Sequence, residues 1–134
     1  MRGWTPTLTL IPVSRGDVFF VVEARTEGGE IKKTRPWVIV QNDVANMHSD
    51  NVICVAITSV IKYKDHTINV LVTATETGME KDGLILCNQI RTVAKSRLLN
   101  CVGKVPPNKM ELVDWALLKS LDLDYTYNAV PPTG

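Results

Sequence analysis

Val52-Ile53-Cys54-Val55-Ala56-Ile57-Thr58-Ser59 opens with six consecutive apolar residues, three of them β-branched aliphatics at Val52, Ile53 and Val55, with Ile57 a fourth. A strand with one wet face alternates apolar and polar side chains. A strand that is apolar at almost every position is buried on both faces, as happens when a sheet curls onto itself. Working outward, Pro36-Trp37-Val38-Ile39-Val40 and Val18-Phe19-Phe20-Val21-Val22 precede it as similar β-branched and aromatic runs, and Thr67–Ala74, Leu84–Ile90 and Thr92-Val93 follow it. Thr26–Lys33 contains Gly28-Gly29 and reads as a loop, Gly78–Gly83 as a turn, and Val44–Asn51 as polar and irregular with room for one helical turn. Short strands at even spacing from Asp17 to Arg97 predict a mainly β fold, a small barrel or a strongly bent sheet.

Past Arg97 the pattern changes. Pro106-Pro107 ends the sheet region, and Asn108 with Glu111 three residues later resembles a capping box. Met110, Val113, Leu117 and Leu121 then recur at helical spacing, which predicts a C-terminal α-helix laid on the barrel. Trp115 falls off that stripe. Either a broad buried face absorbs it or it meets a subunit or partner. The tail from Asp122 to Gly134, with Pro131-Pro132, is expected to be loosely ordered.

The chain has 134 residues, which suits one domain. Fifteen Lys and Arg against fourteen Asp and Glu leave a net charge of +1, so nucleic acid could be held only by local clusters of positive charge. Cys54, Cys87 and Cys101 form no CxxC pair, and the first two lie in apolar runs, where buried free thiols are expected; this fits a reducing cytoplasm. No stretch reaches the roughly 20 apolar residues of a membrane helix. Met1–Ser14 is interrupted by Pro6 and Pro12 and does not read as a signal peptide, so the expected location is cytoplasmic.

Familiar catalytic sets are missing. His48 and His66 both stand in polar, turn-like stretches, better suited to surface residues than to a two-histidine nuclease. There is no HExxH, P-loop or GxSxG, and no cluster of metal-ligating types, so neither a metal nor a cofactor is expected. Glu80 and Asp82 flank Lys81 in a turn and read as solvated charges. Positive charge gathers in three places: Arg25, Lys32, Lys33 and Arg35; Lys62 and Lys64 around Tyr63; and Arg91, Lys95 and Arg97. Basic residues interleaved with an aromatic suit a phosphate backbone and a stacked base, although each cluster alone also suits a solvated face. Arg35 opens one strand and Thr58 closes the next, so an arginine and a hydroxyl on neighbouring strands can face one phosphate, although the pairing taken alone suits a structural role better.

Five ordered blocks together resemble the MazF/PemK family of toxin–antitoxin ribonucleases. They are Arg15-Gly16-Asp17-Val18; Thr34 to Asp43 with Asn46 just after; Val52 to Ser59; Gly78-Met79-Glu80-Lys81-Asp82-Gly83; and Asn88-Gln89-Ile90-Arg91-Thr92-Val93 running into Lys95-Ser96-Arg97-Leu98. The resemblance covers about Arg15 to Leu121, leaving residues 1–14 as an N-terminal extension and 122–134 as a tail of one toxin domain. It implies an SH3-like barrel with a C-terminal helix, a homodimer, and sequence-specific, metal-independent cleavage of single-stranded mRNA by 2′-hydroxyl attack. It implies a cognate MazE-like antitoxin that lays an extended segment into the RNA groove. Arg35 and Thr58 match the family's catalytic arginine and threonine. The segment from Arg25 to Thr34 corresponds to a mobile loop that gates the groove. Lys32, Lys33, Asn42, Ser59, Lys62 and Gln89 are candidate RNA contacts. Asn88 stands where the family often has a carboxylate, and Gly83 where it often has serine. The group that accepts the 2′-hydroxyl proton is left unidentified, because a threonine hydroxyl is a poor base and a free arginine is protonated at pH 7. Two other readings share the barrel: a non-catalytic CcdB-like toxin that binds DNA gyrase, and a catalytically silent RNA-binding barrel.

Overall fold

The computed structural model describes residues 11–123, apart from the side chain of Lys32. The N-terminal extension up to residue 10 and the tail from residue 124 lie outside the described residues. Six strands are present: β1 (Asp17–Arg25), β2 (Ile31–Ile39), β3 (Asn51–Thr58), β4 (Asn69–Val72), β5 (Gly83–Ala94) and β6 (Leu98–Lys104). All their pairings are antiparallel, in the order β4-β5-β3-β2-β1-β6. The sheet curls as expected but stays open, with β4 and β6 as its two edges. Three helices join it: α1 (Asp43–His48), α2 (Ala74–Thr77) and α3 (Pro107–Ser120).

Alternation along the strands explains the unbroken apolar runs. Val18, Val38, Val55 and Ile57 point into one core with Ile85, and Phe19, Trp37, Ile39, Cys54 and Ala56 point into another. The first core is closed by Met110, Val113 and Ala116 of α3. The second is closed by Val93 and Leu98, where β5 turns into β6, with Ile11 and Val13 packed against it. Both middle strands are therefore buried on two sides. Burial also holds the Cys54 and Cys87 thiols protonated, each with its pKa pushed up to about 12.

Four sequence expectations change. The expected loop at Thr26–Lys33 shrinks to residues 26–30, because the ladder continues as far as Arg25 opposite Ile31. The turn is closed by the Thr26 amide on the Glu30 carbonyl at 2.8 Å, and Gly29 takes a φ of +89° that only glycine adopts without strain. Lys32 and Lys33 are thus strand residues rather than loop residues. Strand β6 was not read from the sequence because its apolar residues, Leu98, Leu99, Cys101 and Val102, do not alternate with polar ones, and its pairing with β1 is broken by two register shifts. The α3 N-cap is Pro106 with Pro107 in the first turn, not Asn108, and no side chain caps it; proline's fixed φ and missing N–H suit that position. Leu121 lies beyond α3 and is 53% exposed, so the buried stripe ends at Ala116 and Leu117.

The capping box occurs instead at α2, where the Thr73 hydroxyl accepts from the Glu76 amide and the Glu76 carboxylate accepts from the Thr73 amide at 2.7 Å. That bond, joined by the Lys109 ammonium at 3.1 Å, holds the Glu76 carboxyl below its ordinary pKa. A depressed folded pKa stabilises the fold above the unfolded value, and the gain disappears as pH falls through the folded value. Wild type is therefore expected to melt higher than Glu76→Gln at pH 7, with the gap closing on acidification through the carboxylate range. A gap independent of pH in thermal melts would show that the ionised carboxylate is not the stabilising species.

Candidate active site

Strands β2 and β3 pair at Ile39↔Cys54, Val38↔Val55 and Trp37↔Ala56, and Arg35 and Thr58 each lie two residues beyond the last of these pairs. Alternation puts Arg35 on the face of β2 that carries Trp37 and Ile39. Both residues therefore stand just past the end of an apolar ladder. Both side chains are half-buried, and both line a cavity of about 710 Å³ together with Lys33 and Ser59. The Thr58 hydroxyl oxygen accepts the Val60 amide at 3.1 Å, which leaves its O–H to be donated into the cavity. Arg35 makes no hydrogen bond or ion pair among the described residues, so its guanidinium fork is available to an anion.

The remaining walls were not foreseen. Phe20 on β1 and Asn100 on β6 close one side, and the turn Met79-Glu80-Lys81-Asp82 closes another. The charges of that turn, Glu80, Lys81 and Asp82, are exposed, as their reading as solvated charges expects. What brings it to the site is the β3–β5 pairing, in which Leu84 stands opposite Thr58. Gly83, where the family often has serine, has a local reason to be glycine: a Cβ there would sit 2.8 Å from Ile57 Cγ2.

Other sequence candidates lie elsewhere. Asn42 caps α1, its side-chain oxygen accepting the Ala45 amide at 2.8 Å. Lys62 sits 5.0 Å over the Tyr63 ring in the segment between β3 and β4, and Gln89 is exposed on β5. None of these three lines the cavity. The cluster at Arg91, Lys95 and Arg97 is structural. Arg91 pairs with Glu23 at 3.4 Å, Lys95 is buried against the Asn46 carbonyl, and Arg97 binds the Val22 carbonyl. Their charges answer backbone and core groups that no linear reading connects. His48 and His66 also lie off the cavity. Among the described residues no three His, Cys, Asp or Glu side chains group as a metal site, and no helix is long and apolar enough to cross a membrane.

A curled antiparallel sheet closed by one C-terminal helix, with an arginine and a threonine lining one cavity, defines a small β-toxin architecture. The chain belongs to the PemK-like, MazF-like toxins of type II toxin–antitoxin systems, whose family model matches residues 14–121. It is 38% identical over 111 residues to endoribonuclease EndoA of Bacillus subtilis (strain 168), covering 83% of this chain and 96% of that one. In fold it is similar to an endoribonuclease from a mycobacterial species, at a TM-score of 0.68 and 24% identity, over 85% of this chain and 95% of the other. A MazE–MazF structure from Deinococcus radiodurans matches at a TM-score of 0.68 and 17% identity, over 85% of this chain and 100% of the other.

Proposed function

We propose that this chain is a metal-independent, sequence-specific endoribonuclease toxin that cleaves single-stranded mRNA by attack of the 2′-hydroxyl on the adjacent phosphorus. The observation that carries the reading is that Arg35 and Thr58 line one cavity, each just past the end of the β2–β3 ladder. RNA brings its own nucleophile, so the protein must orient it, stabilise charge on the phosphoryl oxygens and manage two protons. Arg35 presents a fixed planar fork to the phosphoryl oxygens as charge develops. Thr58 donates its O–H to the same group, held in orientation by the Val60 amide. Lys33 and Ser59 bind the backbone within the cavity. Lys62 and Gln89, exposed outside it, take flanking nucleotides, as do Lys32 and the side-chain N–H group that Asn42 keeps after capping. The likeness to an endoribonuclease over 96% of that protein favours the nuclease over a gyrase-binding barrel.

The working protein is a homodimer in the cytoplasm. Its inhibitor is a MazE-like antitoxin whose extended segment occupies the same cavity, as the antitoxin complexes of structural relatives suggest. Incubation with a long single-stranded RNA in excess EDTA tests the reading. The expected result is cleavage at a recurring short sequence, leaving 5′-hydroxyl and 2′,3′-cyclic phosphate ends. Cleavage that needs added Mg²⁺ and leaves 5′-phosphates would overturn it.

A further inference from the structure

Something must take the 2′-hydroxyl proton, and the cavity narrows the choice. Its charged lining consists of three cations, Lys33, Arg35 and Lys81, and two carboxylates, Glu80 and Asp82; no histidine reaches it. Asp82 is engaged, its Oδ1 accepting the Ala74 amide at 2.7 Å, which ties the turn to the start of α2. Glu80 makes no hydrogen bond or ion pair among the described residues and is exposed at the cavity wall.

The turn that carries Glu80 is held from several directions. Met79 donates its amide to the Thr77 hydroxyl at 3.2 Å, and its side chain packs against the first core. On β6, a Cβ on Gly103 would fall 2.8 Å from Met79 Cγ and 2.8 Å from the Thr77 carbonyl oxygen. On β5, a Cβ on Gly83 would fall 3.6 Å from Met79 Cε. Two glycines thus let the strands close on Met79, and Asp82 fixes the far end. Glu80 sits between anchored residues beside the β3 terminus that presents Thr58.

We propose that Glu80 is the general base of the cleavage, a role that rests on the nuclease reading above. Its carboxylate takes the proton from the 2′-hydroxyl as the O2′–P bond forms. The P–O5′ bond breaks, the 5′ oxygen takes a proton from water, and Glu80 returns its own proton to solvent. The products are a 2′,3′-cyclic phosphate and a 5′-hydroxyl, with no net redox change. The charged groups that line the cavity with Glu80 are Lys33 and Arg35 from β2 and Lys81 and Asp82 from its own turn, and Phe20 of β1 and Asn100 of β6 line it too. Lys33, Arg35 and Lys81 make the cavity wall cationic, and Arg35 stabilises the charge that the transfer generates.

The test compares wild type with Glu80→Gln and Glu80→Ala in EDTA across acidic to neutral pH, with thermal melts alongside. In Glu80→Gln, kcat is expected to fall about 100-fold or more, with KM little changed. The wild-type rise of log kcat on leaving acid pH should disappear, and added formate should partly restore Glu80→Ala. Full activity in Glu80→Gln overturns the assignment while leaving the nuclease reading intact. So does a loss seen only in KM with the acid limb retained, which would make Glu80 a binding residue. A wild type inert on varied RNAs overturns the nuclease reading itself.

Discussion

Arg35→Ala is expected to lower kcat/KM on a single-stranded RNA by at least about 100-fold, the cost of removing one preorganised donor from a site of developing charge, or about 2.7 kcal/mol. Arg35 supplies more than one donor, in a rigid fork, and is half-buried where water competes poorly. Arg35→Lys keeps the charge and loses the fork, so it should recover only a small part of the rate. Arg35 bonds to no described residue, so the melting temperature should stay within a few degrees of wild type. Single-turnover cleavage assays with matched thermal melts check both halves. A variant that cuts at the wild-type rate would remove Arg35 from the mechanism whatever the fate of the family assignment.

Trp37→Ala is expected to cost about 3–5 kcal/mol of stability, the range for truncating a large buried aromatic. Trp37 is 3% exposed and lies on β2 in the second core. Its indole N–H donates to the Glu23 carboxylate at 2.9 Å, and the Arg91 guanidinium lies 5.3 Å from the ring. Removing the ring opens a void and leaves Glu23, itself largely buried, with only the 3.4 Å contact to Arg91. The side chain links β1, β2 and β5 at one point, so little of the loss can relax away. The melting temperature should fall by about 10–20 °C, and Trp37→Phe should fall less. A drop of under about 3 °C for the alanine variant would show that this core is not where the stability lies.

Both predictions concern residues that the linear pattern already marked. Arg35 and Thr58 stand at the ends of adjacent apolar runs, but it was the resemblance to the family and not the runs that singled them out for chemistry. The middle strands were visible because they are buried on both faces. Strand β6 was invisible because its apolar residues keep no two-residue period, the ladder to β1 being interrupted by two register shifts. The limit of the first loop was invisible because backbone pairing past Arg25 needs no apolar side chain. Glu80 is exposed, as its reading as a solvated charge expects, but its place on the cavity wall was not legible. Three charges in a turn look solvated, and only the pairing of Leu84 with Thr58 and the tight fit of Met79 against Gly83 and Gly103 carry them to the cavity. Lys95 and Arg97 were misread in the opposite direction, since their carbonyl partners lie far off in sequence.

The pairing of β1 with β6 joins Phe19 to Cys101, residues from opposite ends of the described chain. A ribosome delivers β1, β2 and β3 long before β6, and Asn100 with the Gly103 seat for Met79 comes last of the cavity walls. Closing so long a loop is slow, and the contact rewards the chain only once nearly all of it exists. A nascent or truncated chain therefore carries Arg35 and Thr58 without the pocket around them. The cavity is thus completed only by the strand that leaves the ribosome last.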